Sequence, residues 1–115
     1  MNIQIYVHKK NPDALKAERF FRERRIPFQV VDLQKHRLGR KELETFARSA
    51  GAAALVDRAG RKALERPVAH MSDESLILDA LLDDPAALKC PIVRNGNRVT
   101  VGADEAAWRR WVEEA

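Results

Sequence analysis

The side chain of this sequence with the clearest reactivity is its single cysteine, Cys90. A cysteine thiolate is a nucleophile, but one cysteine alone forms neither an internal disulfide nor a CxxC redox pair. A free cysteine is also one of the residues most often buried as a small apolar side chain. Two interpretations of Cys90 therefore stay open, a buried apolar residue and a reactive thiol.

Metal and nucleotide chemistry find little support in the sequence. A metal site built on His8 and Cys90 would lack the further ligands that a bound ion requires. The other two histidines, His36 and His70, lie in polar stretches. No GxGxxG or Walker motif is present. We therefore expect no metal site and no resident cofactor.

The run Asn11-Pro12-Asp13 has the composition of a helix start. Asparagine is a favoured N-cap, proline suits the first helical position, and an acidic residue suits the positive end of a helix. We predict that the Asn11 side chain accepts a hydrogen bond from a main-chain amide near Asp13 or Ala14. The sequence thus predicts that the first helix begins here.

The elements around this helix start follow from the spacing of apolar residues. Alternation predicts a strand over residues 3–7, and a second strand is expected over residues 28–33. Apolar residues at helical spacing predict a helix between them, which extends to about residue 24 and is stopped by Pro27. A strand, a helix and a strand in about 33 residues form a βαβ unit, whose crossover is right-handed.

The remainder of the chain is predicted as a helical middle followed by a hairpin and a last helix. One helix of the middle ends at Gly51, and another is capped by Ser72. Residues 52–71 are the least readable stretch, expected as a short helical turn and loop. After Pro91, Asn-Gly at positions 95–96 between two β-prone runs predicts a hairpin. The last helix is predicted to open near Asp104 and to bury both tryptophans.

A parallel βαβ unit followed by a hairpin and a closing helix is the thioredoxin plan, and local sequence sharpens this match. The run KKNPDALKAERFFRERRIPFQVVDL is similar to the opening of the arsenate reductase-like family, which includes arsenate reductases, Spx-type transcription regulators and YffB-type glutathione-dependent reductases. The run LLDDPAALKCPIVRNGNRVTVGADEAAWRRW resembles the hairpin and terminal helix of the same family. The resemblance covers nearly the whole chain. It implies one thioredoxin-like α/β domain over residues 1–115, with a four-stranded mixed sheet (βαβ then ββα) and a helical insertion at about residues 40–88.

The resemblance also implies where a functional site lies. The family places its reactive cysteine at the N-terminus of the first helix, where this sequence has Asn11, and Ala14 stands where two-cysteine members carry a second thiol. Pro91 is expected to be cis, with its loop packed against that helix, so that Cys90 faces Asn11. Basic residues around this helix end are expected to hold an anion or a glutathione carboxylate: Lys9, Lys10, Arg58 and Arg94.

Two functions from different classes follow from the resemblance. The leading one is a non-catalytic binding or regulatory member that retains an anion or thiol-substrate pocket, because Asn11 has no ionisable sulfur. The alternative is a glutathione-dependent thiol oxidoreductase that uses Cys90, with glutathione as co-substrate. Whether the protein is an enzyme is left open. The expected partner is glutathione or another protein, and the sequence does not decide whether an RNA polymerase contact of the Spx type persists.

Composition and charge indicate which partners and which cellular location to expect. The formal net charge is +4, from 21 Lys and Arg against 17 Asp and Glu, but the basic residues are spread along the chain and interleaved with acidic ones. We therefore do not expect a nucleic-acid partner. No apolar run is long enough to span a bilayer, and the first ten residues do not resemble a signal peptide. A cytoplasmic monomer without a membrane contact is expected.

Overall fold

The computed structural model describes residues 1–115 and contains one four-stranded mixed sheet. Its strands are β1 (Ile3–Val7), β2 (Phe28–Asp32), β3 (Ile92–Asn95) and β4 (Arg98–Val101). They lie in the order β2-β1-β3-β4. β1 pairs in parallel with β2, and the pairs β1–β3 and β3–β4 are antiparallel. This topology confirms the predicted thioredoxin-like α/β fold.

Five α-helices accompany the sheet. They are α1 (Pro12–Glu23), α2 (Arg40–Ala50), α3 (Arg61–Glu65), α4 (Glu74–Asp83) and α5 (Glu105–Glu114). Short 3-10 turns lie at Ala53–Leu55, Pro67–His70 and Pro85–Ala87. The helical insertion therefore separates the βαβ half from the ββα half, as expected. None of the helices is both long enough and apolar enough to cross a membrane.

The helix ends agree with the sequence predictions except at α4. Asn11 caps α1, Gly51 ends α2 with a φ of 87°, and Asp104 caps α5 through the amide of Ala107. At α4 the cap is Asp73, whose carboxylate accepts from the amide of Leu76, so the prediction of Ser72 as the cap is wrong by one residue.

The predicted hairpin is present, and its turn is shifted by one residue from the Asn-Gly pair. Asn95 pairs with Arg98 in the ladder between β3 and β4, so Gly96 and Asn97 form the two-residue connection. Gly96 has a φ of 63°, a conformation that glycine adopts without a steric penalty. Glycine therefore takes the first central position of the turn, as in one of the two common hairpin types.

The sheet is packed on both faces, which gives two hydrophobic clusters. Helices α1 and α5 cover one face, and the cluster there includes Phe21, Trp108 and Val93, all without solvent exposure. The insertion covers the other face, where Phe46 of α2 and Leu81 of α4 pack with Ile92 of β3. Because α1 and β3 belong to one packed unit, the start of α1 and the segment before β3 lie at the same end of the central strands.

Candidate functional site

Asn11 connects the start of α1 to the segment that precedes β3. Its Oδ1 accepts a hydrogen bond of 2.7 Å from the amide of Ala14, which confirms the predicted cap. Its Nδ2 donates a hydrogen bond of 3.0 Å to the carbonyl oxygen of Cys90. Both hydrogen-bonding groups of the side chain are thus used in holding two loops together.

The loop around Pro91 is fastened from both sides. The Cys90–Pro91 peptide bond is cis, and the carbonyl of Pro91 accepts from the amide of Gly102 at 2.8 Å. Before it, the amide of Lys89 donates to the carbonyl of Leu55 at 2.7 Å, and the amide of Asp57 donates to the carbonyl of Ala87 at 2.9 Å. These contacts bring the insertion against the cysteine loop.

Cys90 is partly buried in this loop, where it packs against the hydrophobic cluster on the insertion side of the sheet. Burial raises the pKa of the thiol to about 11; the nearby amide of His8 acts in the opposite direction, and the charge of Asp57 adds to the rise. A thiol with this pKa is almost wholly protonated at neutral pH, and the protonated form is not the nucleophile. The geometry therefore favours the interpretation of Cys90 as a small apolar residue over that of an activated thiol.

An open cleft of about 660 Å³ lies between the start of α1, the cysteine loop and α3. Its first wall comprises His8, Lys9, Asn11, Pro12 and Asp13, and its far wall comprises Asp57, Ala59, Lys62, Ala63 and Arg66. The base is formed by Ala86, Leu88, Lys89 and Cys90. The site is thus shared between the βαβ half, the insertion and the loop before β3.

Positive charge predominates in the cleft. Lys9, Lys62 and Lys89 are exposed and make no ion pair with a carboxylate, whereas Arg66 pairs with Asp84 at 3.1 Å. Two carboxylates, those of Asp13 and Asp57, line the same space. The positive end of α1 adds to the field of the three lysines. An anionic group is the ligand chemistry that this arrangement attracts.

Of the residues that the sequence analysis expects at the site, one group lies at or beside the cleft and the other does not. Lys9, Asn11 and Cys90 line the cleft, Lys10 is exposed beside Asn11, and Pro91 is buried directly behind Cys90.

The structure does not bring Arg58 and Arg94 to the cleft, which corrects their expected placement. The Arg58 guanidinium donates to the carbonyls of Ala53 and Ala69. Arg94 lies on β3 in register with Gln4, and its Nε donates to the carbonyl of Gly96. Both guanidinium groups are therefore engaged by main-chain oxygens elsewhere in the fold.

Three basic residues of the cleft were not found from the sequence: Lys62, Arg66 and Lys89. Lys62 and Arg66 belong to the stretch 52–71, where α3 has only five residues and gives no helical period to read. Their spacing of four residues was the available signal, because it places two basic side chains on one side of a helical turn. No group of three or more His, Cys, Asp and Glu is arranged to hold a metal ion.

A second polar cluster lies on the insertion side of the sheet, around Glu42. Its carboxylate accepts from the amide of Gly39 at 3.0 Å and from the Tyr6 hydroxyl at 3.2 Å, and His36 Nε2 lies 3.2 Å away. Burial alone would raise the pKa of Glu42, but these contacts outweigh it and lower the pKa below its usual value. Burial raises the pKa of Tyr6. This cluster fastens the start of α2 to β1.

Comparison with solved structures identifies the same fold in other proteins. A YffB protein superposes with a TM-score of 0.82 at 21% identity, covering 94% of this chain and 96% of that chain. An arsenate reductase (ArsC) related protein from Brucella melitensis gives 0.71 at 23% identity, covering 98% and 96%. An arsenate reductase from Vibrio cholerae gives 0.71 at 20% identity, covering 89% and 90%. At these identities the likeness shows the shared fold.

The sequence itself matches no protein-family model. It also matches none of the curated proteins.

Proposed function

We propose that this chain is a divergent member of the arsenate reductase-like family that binds an anionic ligand in the cleft without the family's cysteine chemistry. The observation that carries the proposal is Asn11. The side chain at the N-terminus of α1 has no sulfur, and its amide is committed to Ala14 and Cys90. A carboxamide does not attack arsenate or a disulfide, so the site that remains is one for binding.

The electrostatics of the cleft support an anionic ligand. The three unpaired lysines stand on different parts of the cleft: Lys9 beside α1, Lys62 on α3 and Lys89 in the base formed by the cysteine loop. An ion that enters between them is attracted from three sides while it remains partly in solvent. Because all three side chains are exposed, we expect a weak, salt-dependent affinity.

The test is a titration of the full chain with inorganic phosphate, arsenate and glutathione, followed by amide chemical shifts. We expect shifts at the start of α1 and in the cysteine loop for at least one of these probes. The double substitution Lys62→Gln, Lys89→Gln removes about 1 kcal/mol per lysine and weakens binding by about tenfold or more. Lys41→Gln, an exposed lysine on α2 away from the cleft, is the matched control and leaves binding unchanged. If none of the three titrations gives saturable chemical-shift changes, the proposal is contradicted.

A glutathione-dependent thiol oxidoreductase that uses Cys90 is the second candidate. The observation in its favour is that Cys90 lines the cleft beside Asn11. Its thiolate would attack the glutathione sulfur of a mixed disulfide, forming a Cys90–glutathione disulfide and releasing the thiolate of the other partner; a second glutathione thiolate would then free Cys90 and leave as glutathione disulfide. The pKa of about 11 opposes this step at neutral pH. The deciding measurement is the alkylation rate of Cys90 with and without glutathione: a rate below that of a free cysteine contradicts the oxidoreductase, and a faster one supports it.

A further inference from the structure

The rest of the fold makes side-chain hydrogen bonds to the main chain of one edge strand of the sheet, β4, and not to that of Phe28 or Val30 on the other, β2. At the β4 edge, the hydroxyl of Ser49 on α2 accepts from the amide of Val99 at 2.9 Å and donates to its carbonyl at 3.3 Å. No side chain makes a hydrogen bond to the main chain of Phe28 or Val30 at the β2 edge. One edge is therefore covered, and the other presents free main-chain groups.

The free groups of β2 can be assigned residue by residue. The amide of Leu33 donates to the carbonyl of Val7 on β1. Because the groups of a parallel strand alternate between its two sides, the odd-numbered residues of β2 face β1. Phe28, Val30 and Asp32 consequently turn their amides and carbonyls outward. Only the carbonyl of Asp32 is already used, by the amides of Lys35 and His36.

Within the strand itself, from Phe28 to Val31, the β2 edge lacks the usual devices that prevent strand addition, although Lys35 of the following turn lies near Val30 and Asp32. Natural edges are protected by lysine, proline, bulges or covering segments. Between Phe28 and Val31 there is neither a charged residue nor a proline, and Val30 is 39% exposed. Pro27 stands just outside the strand and leaves the amides of Phe28 and Val30 available.

We infer that the β2 edge pairs antiparallel with the β2 edge of a second copy of this chain, about a two-fold axis at Val30. Centring the axis there places Val30 opposite Val30 and Phe28 opposite Asp32. The two Val30 residues then exchange both of their amide–carbonyl bonds, and at each end the amide of Asp32 donates to the carbonyl of Phe28. The result is a continuous eight-stranded sheet with α1 and α5 of both copies on the same face. The inferred dimer differs from the monomer that the sequence analysis expects.

Charge complementarity favours a second copy as the occupant. The guanidinium of Arg22 lies over the ring of Phe28, 5.6 Å from its centroid. Phe28 would stand beside the second copy's Asp32 on the same face, so Arg22 comes within reach of that carboxylate. The Asp32 carboxylate accepts from the amide of Gln34 and makes no ion pair within its own chain. The two-fold axis creates this ion pair twice.

The interface is small, since the paired edge is only five residues long. Interfaces at the low end of the size range associate weakly. We therefore expect a concentration-dependent equilibrium between monomer and dimer rather than a permanent dimer. Sedimentation equilibrium of the full chain from micromolar to millimolar concentration measures it directly.

Four variants test the arrangement. Val30→Lys places two ammonium groups at the axis and leaves a monomer. Arg22→Glu and Asp32→Arg each turn two attractive contacts into repulsive ones and raise the dissociation constant by about tenfold or more. The double variant Arg22→Glu, Asp32→Arg restores opposite charges and returns the constant to near the wild-type value. Far-ultraviolet circular dichroism of each variant verifies that the fold is intact.

The matched control is Arg109→Glu. Arg109 pairs with Glu105 at spacing i, i+4, as Arg22 pairs with Glu18, but it lies on α5. This variant leaves the dissociation constant unchanged. A wild-type chain that stays monomeric at millimolar concentration overturns the inference. The inference is also overturned if Val30→Lys leaves the dissociation constant unchanged, or if the double variant does not return it to near the wild-type value.

Discussion

Asn11 and Cys90 are joined by a hydrogen bond from the side-chain Nδ2 of the first to the carbonyl oxygen of the second, 3.0 Å long and spanning 79 residues of sequence. The same side chain caps α1 through Ala14. Asparagine is suited to this position because one amide supplies both an acceptor and a donor. The start of α1 and the loop before β3 are therefore held together by a structural contact rather than by a reactive group.

The first prediction concerns the two roles of Asn11 in stability. Asn11→Ala removes both hydrogen bonds and lowers the free energy of unfolding by about 1–3 kcal/mol, since a cap and a side-chain hydrogen bond each contribute on the order of 1 kcal/mol. Asn11→Ser keeps a capping oxygen but loses the donor to Cys90, so its loss is smaller. Urea unfolding of both variants measures the difference, and unchanged stability in Asn11→Ala would exclude the capping role.

The second prediction tests whether the helix end still stabilises an anion. In a Cys90→Ser background, Asn11→Cys creates a thiol whose pKa lies well below the free value of about 8.5. The positive end of α1, the Ala14 amide and the charge of Lys9 all favour the thiolate. Thiolate absorbance against pH gives the value. A pKa at or above the free value would show that this end of the cleft is no longer electropositive.

The third prediction is a loss of stability at high pH caused by Cys90. Burial raises the pKa of this thiol to about 11, well above its ordinary value. A raised pKa means that the folded state prefers the protonated form, so the contribution is complete below about pH 9 and is lost as the pH rises toward 11. Unfolding free energies at pH 8 and 11 therefore differ more in the wild type than in Cys90→Ala. Equal differences would contradict the burial of the thiol.

The fourth prediction concerns Glu42, whose pKa is lowered by its contacts with Gly39, His36 and Tyr6. A lowered pKa means that the folded state prefers the carboxylate. Its contribution is present above the usual glutamate pKa and is lost as the pH falls through the lowered value. Glu42→Gln therefore destabilises the protein at pH 7, and the difference from the wild type shrinks in acid. Parallel urea titrations at neutral and acid pH test this; a difference that grows in acid would contradict the sign.

The fifth prediction uses the backbone at the end of α1, where Arg25 has a φ of 56°. A side chain in the left-handed region carries a steric penalty that glycine avoids, about 1 kcal/mol. Arg25→Gly is expected to raise the free energy of unfolding by up to about 1 kcal/mol. Arg24→Gly, at a φ of −96°, is the control and lowers it. Stabilisation by both variants would argue against backbone strain at Arg25.

The sequence was most informative where one local pattern determines one element. Asn11-Pro12-Asp13 predicted both the start of α1 and the bond from the Asn11 side chain to the Ala14 amide, because a helix cap depends on neighbouring residues only. The strands could also be located from local sequence: alternation indicated β1, and the Asn-Gly pair between two β-prone runs indicated β3 and β4. The prediction of Ser72 as a cap failed because Ser72 and Asp73 both carry a capping side chain, and the carboxylate of Asp73 took the position.

The cleft was less predictable because tertiary pairing assembles it. Arg94 was expected near Pro91 from its closeness in sequence, but it stands two residues along β3 from Ile92, and there it is in register with Gln4. Lys62 reaches the site because the insertion pairs with the residues before Cys90. Hydrogen bonds between segments 30 residues apart leave no periodic signature in the sequence.

The pairing of the insertion with the cysteine loop has a consequence for the motion of the cleft. Its far wall reaches the loop through two main-chain hydrogen bonds, from Lys89 to Leu55 and from Asp57 to Ala87. Separating the wall from the base requires breaking these bonds but not the sheet. Native-state hydrogen exchange at the amides of Asp57 and Lys89 therefore reports a local opening of the site, at a lower free energy than the exchange of β1 and β3, which requires global unfolding.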